Sequence, residues 1–384
     1  MASLIWWNGK FNQGMPSLVF DLATEADDAG LRHLLRENPM QGSISLSFER
    51  EPNYFNASSI EGPFHQTVVA RETGTDEIIA VGNRSVRPMF VNGTMHEIGY
   101  MSQLRVHPNY GKGLYLARGL TQGFKLYHDL HTDGRVPFYL MSVIEDNIPA
   151  RRLLTSRLPE FPQAQEYCRM FTYAIYPRRH KPSLSLPRAL QLVRGSDQYA
   201  NGIVECLNRN GTRKQFAPYW TLDSLFEFNL SPSDFFIVLD GDCVVGCLAC
   251  WDQNAFKQTI VRGYSGAMAR WRKFINLASR LGIAPYLPEP NTQLSYCYAS
   301  HTAVDDDNAV VFSALLRALY NEVATRHYDY FIIGLAESNP FGRIVKSYHP
   351  LTYTSQIYLM GWDDCLQAIA QVDARPPAIE IAVL

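Results

Sequence analysis

At 384 residues, 46% of them hydrophobic and 19% charged, the chain has the composition of a globular protein of two or three domains, which excludes wholesale disorder, collagen-like repeats and coiled coil. Its 35 Lys and Arg nearly balance 37 Asp and Glu, so the formal charge of −2 supplies no global basic field for nucleic acid or an anionic membrane. Seven scattered cysteines, odd in number, point to reduced thiols and a cytoplasmic protein; no apolar run approaches the roughly 18 residues that cross a bilayer, and the patch Leu4 to Trp7 is far short of a secretory signal.

In chain order, Leu18 to Asp21 reads as a short strand. Thr24-Glu25-Ala26-Asp27 then forms a capping-box pattern that opens a helix with Leu31, Leu34 and Leu35 on one face. A polar, poorly periodic region follows. Three strand-like runs come next, Thr67 to Glu72, Ile78 to Val86 and Glu97 to Val106, with turn signals at Gly74 and Asn92-Gly93. The glycine-bearing segment Tyr110 to Leu114 leads into a helix carrying Leu116, Leu120, Phe124 and Tyr127 at 4-4-3 spacing and stopping at Asp133-Gly134. Pro137 to Ile144 is a largely apolar strand, followed by Glu145-Asp146-Asn147 and another helix start.

The stretch Tyr176 to Arg188, with prolines at 177, 182 and 187 among basic residues and serines, reads as a linker. It divides the chain into residues 1–176 and 189–384, joined by 177–188. The second part repeats the grammar of the first: a strand Leu190 to Val193, a hairpin over Asp234 to Trp251 around Asp240-Gly241, a strand Leu294 to Ser300, a helix Ala309 to Arg326 and a buried strand Tyr328 to Leu335 before Glu337-Ser338-Asn339. A helical insert rich in Arg, Tyr and Trp is expected near 258–281. Matching IEDN-IP to AESN-P, each just after a buried strand, argues for internal duplication.

Strand, Gly-x-Gly loop, helix, then a second apolar strand ending in Asn is an order in which backbone N–H groups face a phosphate, because the first amides of a helix lack intrahelical partners and the helix dipole adds to them. Gly111 and Gly113 permit a close approach, and Lys112 adds a cation. From Val106 to Ala117, VHPNYGKGLYLA resembles the cofactor loop of the GNAT superfamily of N-acetyltransferases, and NIPARRLL from Asn147 to Leu154 is similar to the family's later motif. With the helix after Thr24, the resemblance covers most of residues 18–176, and the second half looks like a degenerate copy.

The resemblance implies an α+β fold of two tandem GNAT-like domains, each a mixed, mostly antiparallel sheet flanked by helices. It implies acetyl-CoA, or another acyl-CoA, as co-substrate on Leu104, Arg105, Val106, Tyr110, Gly111, Lys112, Gly113, Leu114 and Asn147, with no metal. The implied reaction is direct transfer of an acetyl group to the amine of a small-molecule or peptide acceptor. A backbone N–H near Leu104 would face the acyl oxygen. Glu97, Tyr100 and Glu145 are the groups placed to move protons, Tyr100 or water serving the departing thiolate. Three positions depart from the family pattern: Tyr110 stands where Arg or Gln is usual, Tyr115 at the last glycine, and Leu154 in place of the usual tyrosine acid. A non-catalytic acyl-CoA-binding regulator is the alternative.

Each candidate also has a plainer role. Glu97 fits a solvated strand end, Tyr100 a core tyrosine, and Asn147 and Asn339 helix N-caps. In the second half Asp305, Asp306 and Asp307 stand where the loop would be, placed to cap the helix themselves and to repel a diphosphate, so that half is expected to cover the substrate face of the first or to form a homodimer contact. Cys243, Cys247 and Cys250 lie on a strand with Cys247 and Cys250 on opposite faces, which argues against zinc. His128 and His131 suit a helix end.

Overall fold

The computed structural model describes residues 17–384 apart from 112, 157, 159, 228, 281–285 and 327, with the backbone alone for 113–115 and 280. Its first half runs β1 (Leu18–Leu22), α1 (Asp28–Glu37), β2 (Ile44–Glu49), α2 (Tyr54–Glu61), β3 (Phe64–Glu72), β4 (Ile78–Val91), β5 (Thr94–Val106), α3 (Gly113–His131), β6 (Tyr139–Ile144), α4 (Ile148–Leu154) and β7 (Gln163–Ile175). The second runs β8 (Leu190–Arg194), α5 (Ala200–Gly211), α6 (Leu222–Leu225), β9 (Phe235–Asp240), β10 (Cys243–Trp251), β11 (Gln258–Tyr264), α7 (Gly266–Arg280), β12 (Thr292–Gln293), β13 (Tyr296–Val304), α8 (Ala309–Thr325), β14 (Tyr330–Ala336), α9 (Gly342–Lys346), β15 (Leu351–Gly361) and α10 (Leu366–Ala370). Among the described residues no helix is long and apolar enough to cross a membrane.

Local chemistry explains the elements that the sequence announces. Thr24 N–H donates to the Asp27 carboxylate at 2.8 Å, and α1 buries Leu31, Leu34 and Leu35. Asn92 and Gly93 take φ of 53° and 85°, the left-handed pair that closes a tight hairpin between β4 and β5. The apolar stripe of α3 packs Leu120, Phe124 and Tyr127 on the sheet, and Gly134 at φ 68° ends the helix.

Twelve strands form one sheet in the order β1-β3-β4-β5-β6-β15-β7-β14-β13-β10-β9-β8. β5 and β6 are parallel, as are β13 and β14; the other neighbours are antiparallel. The order is symmetric about its centre. β15 of the second half lies against β6 of the first, and β7 of the first lies against β14 of the second, so each half lends its last strand to the other. The repeated motif sits at matching places: Glu145 N–H donates to Thr354 O and Glu337 N–H to Arg169 O, both at 2.9 Å.

The insert expected to be helical over 258–281 begins instead as a strand. Gln258 to Tyr264, rich in β-branched residues, pairs with β2 and β12 in a three-stranded sheet, and only α7 is helical. β2 and α2 occupy the stretch that shows no period in the sequence. Through β2 and β11 the second half packs against the first.

Candidate active site

The sheet opens where β5 leaves β6. The two strands pair only at Gly99–Tyr139 and Tyr100–Leu140, although both run on. Just beyond, the β4–β5 register jumps from Asn83–Ser102 to Val81–Arg105, so Gln103 and Leu104 together face Gly82. This is a β-bulge. Gln103 holds φ 55°, a conformation that a non-glycine residue keeps only where its surroundings impose it.

A buried polar cluster supplies that constraint. Ser102 Oγ donates to Glu61 Oε2 at 2.6 Å, Asn83 Nδ2 to the same oxygen at 3.3 Å, and Gln103 Nε2 to Glu61 Oε1 at 3.4 Å. Arg50 pairs with Glu61 and donates to Ser58 Oγ at 2.8 Å; both members of the ion pair are buried. Burial alone would raise the Glu61 carboxyl, but Arg50 first, then Lys257 and the bonds from Ser102 and Asn83, hold it below the usual carboxylate range. Burial pulls Lys257 down to about 8, and its Nζ donates to Leu384 O at 2.9 Å. Glu61, Arg50 and Lys257 escape a sequence reading because they come from α2, the loop before it and the loop before β11. Their only signal is that strongly polar residues sit in a chain stretch the fold must bury.

The sequence-derived candidates fall in several places. Tyr100 is buried, and burial keeps its hydroxyl protonated well above the usual tyrosine range. Glu97 is exposed and pairs with Pro88, on the far side of the β5–β6 pairing from the bulge; the structure does not bring it to the cleft. Glu145 follows the end of β6, on the bulge side of the last β5–β6 pair. Its Oε2 accepts from Arg169 Nη2 at 3.1 Å, and the same guanidinium reaches Glu337 Oε1 at 3.0 Å, linking the repeated motifs. Arg105 Nη1 donates to Leu104 O at 3.1 Å, and burial lowers the Arg105 guanidinium.

In the loop, Tyr110 N–H donates to His107 O and Gly111 N–H to Pro108 O, so these two amides are used within the turn. The loop therefore does not present all its amides to a ligand; the first amides of α3, which begins at Gly113, lack partners within the helix itself. Tyr110 Oη donates to Glu72 Oε2 at 2.5 Å, and Val106 ends β5. A Cβ on Gly111 would stand 3.7 Å from Pro108 O, so nothing in the protein itself demands glycine there. Lys112 lies outside the described residues, as do the side chains of Leu114 and Tyr115. Asn147 caps α4, its Oδ1 accepting from Ala150 N–H at 3.2 Å, and Leu154 is buried in the core cluster that also holds Phe124 and Tyr139.

The second half carries the same bulge, turned to another use. The β10–β13 register jumps from Cys247–Ala303 to Ala249–Ser300, and His301 holds φ 52°. Its backbone N–H donates to Glu380 Oε2 at 2.7 Å, so a carboxylate of the protein occupies the donor. The three aspartates do not cap α8 as expected: Asn308 does, accepting from Val310 and Val311, while Asp305, Asp306 and Asp307 pair with Arg209, Arg213 and Lys214. Cys247 and Cys250 lie in different core clusters on opposite faces. His131 Nε2, Asp364 Oδ2 and Cys365 Sγ lie together, 3.1 and 3.3 Å from the imidazole, and tie the end of α3 to the second half.

A bulge at a splayed parallel pair, repeated across a central axis and followed in the first half by a glycine loop and helix, defines a tandem GNAT fold. Solved structures share the overall fold. The chain is similar to Saccharomyces cerevisiae N-myristoyltransferase with bound myristoyl-CoA, at 12% identity and a TM-score of 0.57 over 91% of this chain and 85% of that one. It is similar to a GCN5-related N-acetyltransferase from Sphaerobacter thermophilus (12%, TM-score 0.53, 89% and 95%) and to a tandem GNAT protein from the clavulanic acid biosynthesis pathway, solved without AcCoA (13%, TM-score 0.54, 90% and 98%). At such identities the likeness is one of fold. No protein-family model and no curated protein matches the sequence.

Proposed function

We propose that the protein is a cytoplasmic acyl-CoA-dependent acyltransferase whose first half holds the donor and passes its acyl group, acetyl in the simplest case, to an amine of a small molecule or peptide. The observation that carries this reading is the Gln103–Leu104 bulge beside the opening between β5 and β6. The thioester carbonyl would lie against bulge backbone N–H groups, with the diphosphate at the N-terminus of α3 beside Gly111 and Gly113. Before the attack Glu145, on the bulge side of the β5–β6 pairing, receives one ammonium proton through water, which leaves the nitrogen neutral. The neutral amine nitrogen attacks the carbonyl carbon, the C–S bond breaks, and the proton that the new amide nitrogen sheds passes through water to the thiolate. Glu61 positions the bulge rather than touching substrate.

Calorimetry with acetyl-CoA tests donor binding: saturable heat is expected for the wild type and for Gly111→Ala, and its loss for Gly111→Asp, whose carboxylate repels the diphosphate. Absence of heat in the wild type ends the reading. Thiol release across an amine panel tests turnover, with Glu145→Gln expected to lower kcat/KM about 10²-fold; binding without release for any amine would leave a regulatory protein.

A second reading concerns the acyl group. An apolar cleft, open to solvent, lies between α3 and the sheet, lined by Leu104, Val68, Leu120 and Phe124. Because it adjoins the bulge, it favours a longer chain, which octanoyl-CoA in place of acetyl-CoA would reveal as tighter binding.

A further inference from the structure

Between the halves, on the face of the sheet that carries Asn83 and Ser102, β4 runs four residues on to Arg87, about 13 Å along the strand. Arg87 is 6% exposed. Its Nη2 donates to Ile60 O, its Nε is buried without a partner, and among the described residues no carboxylate forms an ion pair with it. The Trp220 ring lies beneath the guanidinium, 5.3 Å from centroid to Cζ. Facing the same space from the second half is His301, 2% exposed, with Nδ1 2.8 Å from Ser300 Oγ and Nε2 buried without a partner. Trp220 and Trp251 wall the imidazole at centroid distances of 4.6 and 5.4 Å. All four side chains line one pocket that opens to solvent.

Two buried polar atoms without partners, on two residues that line one pocket, call for a ligand, since nearly all such atoms in folded proteins are satisfied. A buried guanidinium without a counter-charge is costlier still. The nearby acids do not supply one: Glu380 already accepts from His301 N–H and Ala382 N–H, and Glu227, on the pocket wall, makes no ion pair with Arg87. Desolvation draws Arg87 down to about 10, and desolvation with the Arg87 charge draws His301 down to about 3, so the imidazole is neutral near pH 7. When the Ser300 hydroxyl donates to Nδ1, Nε2 carries the proton and becomes a donor.

One cation, one neutral donor and indole walls suit a monoanion on an apolar body. A phosphate dianion would leave excess negative charge among the aromatic rings. We infer that the pocket between Arg87 and His301 binds a small-molecule carboxylate, held by Arg87 Nε–H and His301 Nε2–H with its apolar part against Trp220 and Trp251. The site draws on both halves and is independent of acyl transfer.

Benzoate, benzamide and inorganic phosphate, titrated into the full-length protein and followed by calorimetry and tryptophan fluorescence, test the inference. Benzoate is expected to bind saturably and to change the fluorescence, with benzamide and phosphate at least about tenfold weaker, the cost of losing a charge-assisted hydrogen bond. Arg87→Met is expected to abolish benzoate binding while raising the ligand-free Tm, because it removes a buried charge; an arginine retained only for structure would lower it. Should that variant fail to fold, His301→Asn, which tolerates the left-handed backbone, is expected to weaken benzoate several-fold. Equal binding of benzoate and benzamide, no saturable signal at tens of millimolar, or wild-type affinity in the folded variants would overturn the inference.

Discussion

At the scale of single residues, the Arg50–Glu61 pair is the costly element of the site: both charges are out of water and repay desolvation only together. Glu61→Gln is expected to cost ~3–5 kcal/mol in urea unfolding by leaving Arg50 uncompensated, and adding Arg50→Met should return part of it. A null cost would mean that the pair does not hold the bulge. The second half makes a pH prediction. Burial pushes the Glu380 carboxyl from 4.5 up to about 7, so its contribution to stability is present below 4.5 and is lost as pH rises toward 7. His301, drawn from 6.5 to about 3, contributes above 6.5, and this is lost as pH falls toward 3. Between 4.5 and 6.5 the two slopes oppose and cancel. Glu380→Gln leaves His301 alone, and stability measured across that window should then climb by about 1.4 kcal/mol per pH unit. Little of this was legible in the sequence, because Glu61, Lys257 and Glu380 lie in different parts of the chain and only tertiary packing gives them partners.

At the scale of elements, patterns within one window read well and pairings between distant segments did not. The stripe of α3, the Asn92-Gly93 hairpin and the box at Thr24 are local devices, and each forms as its residues dictate. Gln258 to Tyr264 was read as helix because its partner, β2, lies some two hundred residues earlier, beyond any window. The glycine-bearing segment Tyr110 to Leu114 is legible as the entry to a helix, though not the use of the Tyr110 and Gly111 amides inside a turn. Gly99 illustrates a demand that only packing reveals: a Cβ there would come within 2.2 Å of the Tyr139 ring, at the point where β5 and β6 pair. Tyr139 in turn accepts from Arg84 Nε at 2.9 Å. Gly99→Ala should therefore cost about 1–3 kcal/mol by overpacking, with acyl-CoA affinity falling alongside stability. An unchanged unfolding midpoint would show that the pair yields freely.

At the scale of the whole molecule, the duplication was visible in IEDN and AESN, but not the exchange that joins the copies. β7 and β15, which make it, carry no turn or motif to single them out, and their antiparallel pairing spans the centre of the sheet. Neither half closes its own sheet. Residues 17–188 produced alone should aggregate or self-associate through the unpaired edges of β6 and β7, whereas co-expression with 189–384 should give a soluble one-to-one complex by size-exclusion chromatography. A monomeric, cooperatively unfolding 17–188 would refute this.

The same exchange sets an order of events during synthesis. The place beside β6 stays vacant until Leu351–Gly361 has left the ribosome, because no earlier segment fills it. At roughly 5–20 residues per second the nascent first half waits about ten seconds or more for nearly two hundred further residues, with one edge of β6 and both edges of β7 bare. Chaperone demand should consequently peak late in translation, and slowing the ribosome over the second half should lower the yield of native protein rather than raise it.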